Sequence, residues 1–473
     1  MKTRYKLLSI IAFLILFFCG LSLLYRVFSW KDTSGDYFSS VNQFYSMNHN
    51  VVDVAFFGPS TTYSSINPAV LWENCGIAAF NNAVSGQDRN ASTYYVKEVL
   101  KTQSPKVIVL SASYFYTEVY AVPGNLLRNT LSLKESPNSV AMINELVTKN
   151  EAVKGENEIK DYYLRWPIVH SRYRELQAED FLPVAEYENC LGYQYSCDVG
   201  NLDGLGDVSF DLSESTEISA GNKQWIDNLK KLSVEHGFQL LILSVPTDFY
   251  PQQRACLNGC FQYLDEIGVP YLDLNFHMDE MDFVPATDMA DRNHYNVLGA
   301  RKICNYLSDY LVQNYSLPDR RGQKGYERYD QCLETYYHKC LEVETIPSAD
   351  AQTLVDVPLN YPDLIVSITL HPESEPRPEF VEFLENAGAS PEEIAKGGTW
   401  LWKDGSLIHS PSRTQYGYQL TPNKYFYVTP TDVLGADQVF IGKDVCVTSE
   451  MGGSIIIIYD AVLDKVISLR QFE

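Results

Sequence analysis

A serine and an aspartate–histidine pair, far apart in the chain, are the residues whose types suit joint chemistry. Ser60 closes the Gly-Pro-Ser segment 58–60, directly after an apolar run that predicts a buried strand. Asp291 and His294 lie in one short segment, Asp-Arg-Asn-His. A serine hydroxyl becomes a nucleophile when a histidine accepts its proton, and a carboxylate fixes the tautomer of that histidine. These residue types therefore predict acyl transfer through a seryl ester.

The segments that must position these residues alternate between short apolar strands and helices from about residue 51 to residue 315. Such alternation predicts an α/β domain with a parallel sheet and helices on both faces. Ligands of such sheets bind at the carboxyl ends of the strands, and Ser60 and the 291–294 segment both follow strands. The expected strands are 52–57, 77–80, 106–110, 239–245 and 269–274, and the expected helices are 68–74, 92–103, 222–236, 252–267 and 297–315.

An aromatic stretch from about residue 114 to residue 221 interrupts this α/β series. It contains Tyr162, Tyr163, Trp166 and Tyr173. One interpretation is a lid whose rings stack on sugars, and the other is a helical insertion with a small core of its own. The spacing favours the helical insertion.

A change of composition predicts a second domain after the α/β domain, which we place at 31–318. We expect a charged linker at 319–347 and a small α+β domain at 348–473. The α+β domain has no catalytic cluster in its sequence, so we expect it to bind or dock. Its expected elements are strands 364–370, 455–459 and 465–469, helix 379–386, a helix start with a capping box at 390–393, and a hairpin at 400–409.

The first 30 residues predict a membrane anchor. A basic lead precedes the uncharged run from Leu7 to Tyr25, which approaches the length of about 20 residues that a spanning helix needs. Cations before the helix place the N-terminus in the cytoplasm and the remaining chain outside it. A cleaved signal peptide is the alternative, but the apolar run is long and no A-x-A-like site follows it. The expected location is therefore the cell membrane.

The net charge and the spacing of cysteines, histidines and glycines argue against nucleic-acid, metal and cofactor binding. The net charge of −23 argues against a nucleic-acid partner. The ten cysteines show no paired CxxC pattern, and the histidines lack ligand-like spacing, so we expect no metal. No Walker or dinucleotide-binding glycine motif occurs, and we expect no cofactor. An exported chain permits disulfides, whose connectivity stays open.

The combination of motifs resembles the SGNH (GDSL-like) hydrolase superfamily over about residues 51–315. Segment 56–61 is similar to the first block of that family, which implies Ser60 as nucleophile and as a backbone oxyanion donor. Segment 82–86 is similar to the second block and implies Gly86 as a further oxyanion donor. Segment 291–300 is similar to the last block and implies His294 as base and Asp291 as its orienter. The resemblance implies a three-layer, flavodoxin-like α/β fold.

One departure from the family concerns its third block, where an asparagine side chain usually completes the oxyanion hole. Here the third strand ends in Ser-Ala-Ser-Tyr at 111–114. Loss of one such donor costs about 3 kcal/mol of transition-state stabilisation. Ser111 and Ser113 are the possible substitutes.

This departure and the anchor make the chain similar to exported polysaccharide O-acetyltransferases and to the teichoic-acid D-alanylation protein. The similarity implies an acyl group, expected to be acetyl, that a multi-pass membrane O-acyltransferase delivers and that is placed on a cell-envelope glycan. Water as acceptor would make the same residues an esterase. The alternative is a catalytically inactive SGNH-fold protein that binds glycan or assists envelope assembly, which the missing asparagine favours.

Segment 453–460 resembles part of the interleukin-like epithelial–mesenchymal transition inducer domain. The resemblance implies glycan or protein recognition by the C-terminal domain. It covers one hairpin, and an unrelated α+β domain stays open.

Overall fold

The computed structural model describes most of the chain and divides it into two compact units, residues 1–333 and 334–473. The described residues are 2–29, 40–116, 123–148, 158–181, 191–196, 198–200, 214–412, 414–421, 424–430, 437–448 and 451–473.

A five-stranded parallel sheet forms the centre of the first unit, as the sequence predicts. Its strands are β1 (Val54–Phe57), β2 (Ala79–Asn81), β3 (Val107–Ser111), β4 (Gln239–Ser244) and β5 (Tyr271–Asp273). Their order is β2-β1-β3-β4-β5, the order of flavodoxin-like doubly wound sheets. The chain reverses its direction of travel across the sheet between β1 and β3, so the crevice that binds ligands in such sheets lies at the carboxyl ends of these two strands.

Helices connect the strands and surround the sheet. Each expected helix of the α/β series is present, with ends that differ by a few residues. The helices are α1 (Lys2–Phe28), α2 (Val41–Tyr45), α3 (Ser60–Ser65), α4 (Pro68–Cys75), α5 (Arg89–Val99), α6 (Pro123–Ser132), α7 (Pro137–Thr148), α8 (Ile159–Leu164), α9 (Trp166–Val169), α10 (Ala220–His236), α11 (Pro251–Ile267), α12 (Pro285–Asp288), α13 (Val297–Asn314) and α14 (Glu327–Cys340).

Local capping signals explain where several of these helices begin and end. Asn67 accepts a hydrogen bond from the Ala69 N–H at the start of α4, and Gly76 ends that helix with a φ of 65°. The same pairing of a polar N-cap with a glycine in the left-handed region encloses α10, between Ser219 and Gly237. The Asn67 and Ser219 side chains, and the backbone N–H groups of Gly76 and Gly237, pair with backbone groups that a helix end leaves without partners.

The described part of the 114–221 stretch is helical and has buried apolar residues. Helices α6 to α9 lie in it, and Met142, Ile143, Leu146 and Tyr162 are each at most 2% exposed. These features agree with a helical insertion that has a core. Residues 117–122, 149–157, 182–190, 197 and 201–213 of the stretch lie outside the described residues.

Two residues of the stretch expected as a linker, 319–347, make contacts with the first unit. Arg320 donates hydrogen bonds to both carboxylate oxygens of Asp53, at 2.8 and 2.9 Å, and Asp53 is only 5% exposed. Trp72 stacks on Tyr329, with the ring centroids 4.9 Å apart. Arg320 and Tyr329 are therefore held within the first unit by an ion pair and by ring stacking.

The second unit is built from antiparallel sheets and short helices. One sheet has the order β14-β13-β6-β7-β8 and the other has the order β12-β11-β10-β9. The expected strands, helices and hairpin of the C-terminal domain are all present. The elements are α15 (Ala351–Asn360), β6 (Leu364–Leu370), α16 (Pro378–Asn386), α17 (Pro391–Lys396), β7 (Gly398–Lys403), β8 (Ser406–His409), β9 (Tyr416–Thr421), β10 (Lys424–Thr429), β11 (Gln438–Ile441), β12 (Asp444–Val447), β13 (Ser454–Asp460) and β14 (Lys465–Phe472).

Helix α1 is long and apolar enough to cross a membrane. Its window Ser9–Phe28 spans 20 residues with a mean hydropathy of 2.4, and none of that window is buried. An N-terminal signal sequence has the same properties. The structure thus contains the expected apolar helix without fixing its orientation.

Removing the Arg320 guanidinium should destabilise the first unit. Arg320→Ala leaves the Asp53 carboxylate buried without its two charged donors, so we expect a loss of about 1.5–3 kcal/mol in the free energy of unfolding. Urea unfolding of the detergent-solubilised chain, followed by tryptophan fluorescence, measures it. Arg321→Ala is the matched control, because Arg321 pairs with Asp319 on the surface, and it should cost less than about 1 kcal/mol. Equal losses in both variants would contradict the prediction.

Candidate functional site

The turn from β1 into α3 places Ser60 at the carboxyl edge of the sheet, as the first residue of the helix. Gly58 makes this turn possible. A Cβ on Gly58 would lie 2.5 Å from the Thr62 Cβ and 3.1 Å from the Ser111 Cβ, so a larger residue would push both away. The close approach brings the end of β3 directly against the segment that carries the serine.

A buried asparagine holds α3 in this position. The Asn81 side chain at the end of β2 is fully buried and donates to the carbonyl oxygens of Thr62 and Ile66, both at 2.9 Å. Both acceptors belong to the last turn of α3 and the residue after it. Sequence reasoning missed Asn81, although a polar residue that ends a buried strand is a signal for such a role.

Asp291 and His294 form the hydrogen-bonded pair that the sequence predicts. The His294 Nδ1–H donates to Asp291 Oδ2 at 2.7 Å, and Asp291 Oδ1 accepts from the backbone N–H groups of Asn293 and His294, at 2.7 and 3.0 Å. Partial burial alone would raise the pKa of Asp291, but these hydrogen bonds outweigh it and hold the pKa below its usual value. The carboxylate therefore stays charged at neutral pH, and the Nε2 atom of His294 is left as a proton acceptor.

The loop that carries this pair is fixed at both ends. The Ala290 N–H donates to the His294 carbonyl at 2.9 Å. Met289 and Tyr295 form an isolated antiparallel β-bridge. Asn296 then caps α13 by accepting from the N–H groups at the first turn. The cap and the bridge leave the Asp291–His294 segment as a short closed loop.

This loop packs beside the face of α3 that carries the serine. The Tyr295 N–H donates to Ser64 Oγ at 3.4 Å. Ser60 and Ser64 are one helical turn apart and therefore lie on the same face of α3. The loop that carries His294 therefore contacts α3 one helical turn after Ser60. No hydrogen bond joins Ser60 Oγ to the His294 ring in the described structure, as is common for catalytic pairs without a bound substrate.

Gly86 lies in a loop that is attached to the serine turn. The Val84 N–H donates to the Gly58 carbonyl at 3.1 Å. Gly86 has a φ of 66°, in the left-handed region that favours glycine. The two backbone groups expected to stabilise an oxyanion, at Ser60 and Gly86, therefore belong to adjoining segments at the carboxyl ends of β1 and β2.

The serines that end β3 lie beside this turn. Ser111 Oγ and Ser113 Oγ share a hydrogen bond of 2.8 Å, and Ser111 Oγ also accepts from the Ser113 N–H. Ser111 is nearer to the serine turn, because its Cβ adjoins Gly58. The Ser111 hydroxyl is hydrogen-bonded to Ser113. It is therefore a less suitable oxyanion donor in place of the missing asparagine.

An asparagine from the insertion lies against Gly86 and was missed by sequence reasoning. The three terminal atoms of the Asn125 amide lie within 2.5 Å of the position that a Gly86 Cβ would take. Arg128 donates to Asn125 Oδ1 at 2.7 Å, and an arginine can only donate, so the Nδ2 group is the free end of the amide. Asn129 also donates to the Gly86 carbonyl, at 3.3 Å. Nothing in the local sequence signals this contact, because it depends on how α6 packs.

Two buried polar atoms next to the site have no hydrogen-bond partner among the described residues. They are Thr61 Oγ1, adjacent to Ser60 in the chain, and Asn82 Oδ1, in the loop that leads to Gly86. A buried polar atom without a partner is costly in a folded protein and calls for an explanation, such as a bound ligand or water. Both atoms adjoin segments that carry expected site residues.

The described residues contain no group of three or more His, Cys, Asp or Glu side chains that could hold a metal ion. The cysteines at 256, 260 and 332 are free thiols. Cys190 and Cys197 lie outside the described residues.

Comparison with known proteins does not assign the chain to a family. No protein-family model matches it, and no curated protein matches it.

Replacing Asn81 should loosen α3. Asn81→Ala removes the donor that two backbone carbonyls share, so we expect a loss of about 1–3 kcal/mol in stability and faster hydrogen exchange of the amides in residues 60–66. Hydrogen exchange with mass spectrometry measures the local effect. Asn305→Ala is the control, because Asn305 makes its hydrogen bond to Asn74 at the surface. Unchanged exchange in residues 60–66 would show that Asn81 does not hold the helix.

Proposed function

We propose that the chain is a membrane-anchored, extracytoplasmic SGNH-type enzyme that moves an acyl group onto cell-envelope polysaccharide through an ester of Ser60. One observation carries the proposal. Tyr295, the residue after the Asp291–His294 pair, donates to Ser64 Oγ one helical turn after Ser60, at the edge of the sheet where such folds bind ligands. The serine turn, the Gly86 loop and the Asp291–His294 loop each supply a residue type that acyl transfer needs.

The first half of the reaction forms the acyl-enzyme. His294 Nε2 accepts the proton of Ser60 as Ser60 Oγ attacks the acyl carbonyl carbon. Asp291 holds the Nδ1–H and stabilises the imidazolium that forms. Collapse of the tetrahedral intermediate breaks the bond to the leaving group, which takes the proton from His294, and leaves the acyl group on Ser60.

Three donors would stabilise the charge on the intermediate. The backbone N–H groups of Ser60 and Gly86 supply two of them, and we assign the third to Asn125 Nδ2. The Asn125 amide lies against Gly86, and Arg128 donates to its oxygen, so the Nδ2 group supplies the donors of this amide. This asparagine would replace the one that the third block lacks, and it would do so from the insertion.

The second half of the reaction transfers the acyl group. His294 accepts a proton from a sugar hydroxyl, the hydroxyl oxygen attacks the ester carbonyl, and Ser60 leaves with the proton from His294. Water in place of the sugar gives ester hydrolysis with the same steps. Transfer is the version that we propose, since an anchored enzyme can receive acyl groups from a membrane partner.

Anchoring by α1 gives the proposal its location and partners. A cytoplasmic N-terminus and an exported body follow from the cations that precede the apolar window. A multi-pass membrane O-acyltransferase would then supply the acyl group, which we propose to be acetyl, on the outer side. The acceptor would be a glycan of the cell envelope.

The second unit has a feature that suits glycan binding. A cavity of about 180 Å³ is lined by Asp356, Glu379 and Glu382 together with Phe383 and Trp402. Carboxylates accept hydrogen bonds from sugar hydroxyls. We propose that this unit holds the acceptor glycan.

A catalytically inactive glycan-binding or envelope-assembly protein is the second candidate function. The observation that favours it is the end of β3, which has no asparagine donor and whose Ser111 and Ser113 hydroxyls are hydrogen-bonded to each other. The two functions predict different reactivity of the serine.

Labelling with a serine-reactive fluorophosphonate tests whether Ser60 is activated. We expect the detergent-solubilised full chain to label, and Ser60→Ala and His294→Ala to lose the label, because the phosphonate bond forms only with a deprotonated hydroxyl. Gel fluorescence with mass spectrometry of the labelled peptide measures it. Ser65→Ala on the same helix is the control and should label normally. A folded wild type that neither labels nor cleaves a small acetyl ester would favour the inactive protein.

Replacing Asn125 should slow catalysis without unfolding the protein. Asn125→Ala and the isosteric Asn125→Asp both remove the N–H donor, and we expect kcat for a small acetyl ester to fall by about 10²–10³ with little change in KM. Steady-state kinetics measure it. Asn144→Ala, an exposed asparagine of the same insertion, should leave kcat unchanged. An unchanged kcat in Asn125→Ala would contradict this assignment. The third oxyanion donor would then be Ser111 or Ser113.

A further inference from the structure

The outer end of α1 packs against the insertion. Arg172 Nη1 donates to the carbonyl oxygens of Phe28 and Ser29, both at 2.8 Å. The Phe28 ring also packs on Trp166, with the centroids 5.1 Å apart. A helix leaves its last carbonyls without intrahelical partners and negative in potential, so a guanidinium is well suited to bind them.

This contact is built by buried residues. Asp180 accepts from Arg172 Nη2 at 3.1 and 3.2 Å, and the two side chains are only 11% and 6% exposed. The carboxylate fixes the guanidinium, and the guanidinium fixes the helix end. The insertion is therefore attached to the point where the apolar window of α1 stops.

Large apolar side chains next to these contact residues are open to solvent. Leu164 is 65% exposed, Tyr173 is 57% exposed and Phe181 is 65% exposed. Each lies one or two residues along the chain from Trp166, Arg172 or Asp180, and consecutive Cα atoms are about 3.8 Å apart. The three side chains, here called the insertion surface, therefore belong to residues that lie near the end of α1.

We infer that the insertion surface is seated in the interfacial region of a phospholipid bilayer, on the side where α1 emerges. The inference rests on the proposed anchoring. If the window Ser9–Phe28 spans the hydrocarbon core, then residues bound to Phe28 and Ser29 lie at the membrane–water boundary. Exposed aromatic and aliphatic side chains at that level enter the interface favourably, and tyrosine is enriched there.

The local chemistry of Tyr173 also suits an interface. Arg174 Nε donates to the Tyr173 hydroxyl at 2.7 Å, and the guanidinium lies 5.2 Å from the ring centroid. The side chain thus presents an apolar ring with a polar tip, the combination found where hydrocarbon meets water. The net charge of −23 opposes attraction to anionic lipid, so apolar contact must supply the binding.

Seating of this surface would hold the candidate active site at a defined height above the membrane. Helix α8 of the insertion packs on α6, and α6 carries Asn125 against Gly86. A continuous set of packed helices therefore joins the bilayer surface to the candidate oxyanion site. Such an arrangement suits an acyl donor that emerges at the membrane.

Photo-cross-linking to lipid tests the inference. The photoreactive residue p-benzoyl-phenylalanine replaces Leu164, Tyr173 or Phe181, one at a time, in the full chain reconstituted in phosphatidylcholine vesicles. The matched controls replace Val234, on α10, and Tyr250, the N-cap residue of α11, which are 80% and 67% exposed. After illumination, mass spectrometry of the digested protein detects lipid adducts.

We expect lipid adducts at the three insertion positions and only background at the two controls, unchanged by high salt because the contact is apolar. Absence of adducts at all three insertion positions, in protein that stays with the vesicles and keeps its circular dichroism, would overturn the inference. Equal yields of lipid adduct at test and control positions would also overturn it. If the same variants in native membranes formed adducts with a protein and none with lipid, that result would overturn it as well. Ester-cleaving activity plays no part in this readout, so an inactive Ser60 would leave the result interpretable.

Discussion

Strand β1 lies between β2 and β3, and its parallel pairing with both determines where the candidate site forms. The pairing aligns Phe56 with Asn81 on one side and with Val109 on the other, so the three strands end at nearly the same level. Parallel strands point their carboxyl ends in one direction, and the polar segments that follow them must share one edge of the sheet. Because β1 is buried along its whole length, a slip of register would cost apolar burial on both faces. The site therefore depends on a core that has no chemical role of its own.

Short polar contacts turn this shared edge into a defined geometry. Gly58 lets Thr62 and Ser111 approach the serine turn, and Asn81 ties the end of α3 back to β2. Each of these groups is buried, so a lost hydrogen bond would leave a backbone carbonyl unsatisfied away from water. The Asp291–His294 loop is fixed separately by the cap of α13, and it meets α3 through Tyr295. Two independently stabilised segments thus define the space between the serine and the histidine.

The insertion contacts both the candidate oxyanion site and the end of helix α1. One of its helices places an amide against Gly86, and another part of it binds the carbonyls that end α1. A stretch that interrupts the α/β pattern would then serve the reaction and the attachment at the same time. This double role gives a physical reason for an insertion at this place, between a strand that ends beside the nucleophile and the next strand of the sheet.

The sequence by itself determined the parallel sheet, the helices between its strands, the antiparallel strands of the second unit and the Asp291–His294 pair. These features follow from local signals, namely the period of apolar residues, the caps, and a carboxylate and an imidazole near each other in one loop. The sequence did not reveal the folded state of residues 319–333, because the Arg320–Asp53 ion pair joins residues far apart in the chain and a charged stretch looks the same whether it is solvated or paired. Asn81 and Asn125 were missed for the same reason. An asparagine carries no pattern of its own, and only the packing of α3 on β2 and of α6 on the Gly86 loop decides which backbone groups its amide can reach.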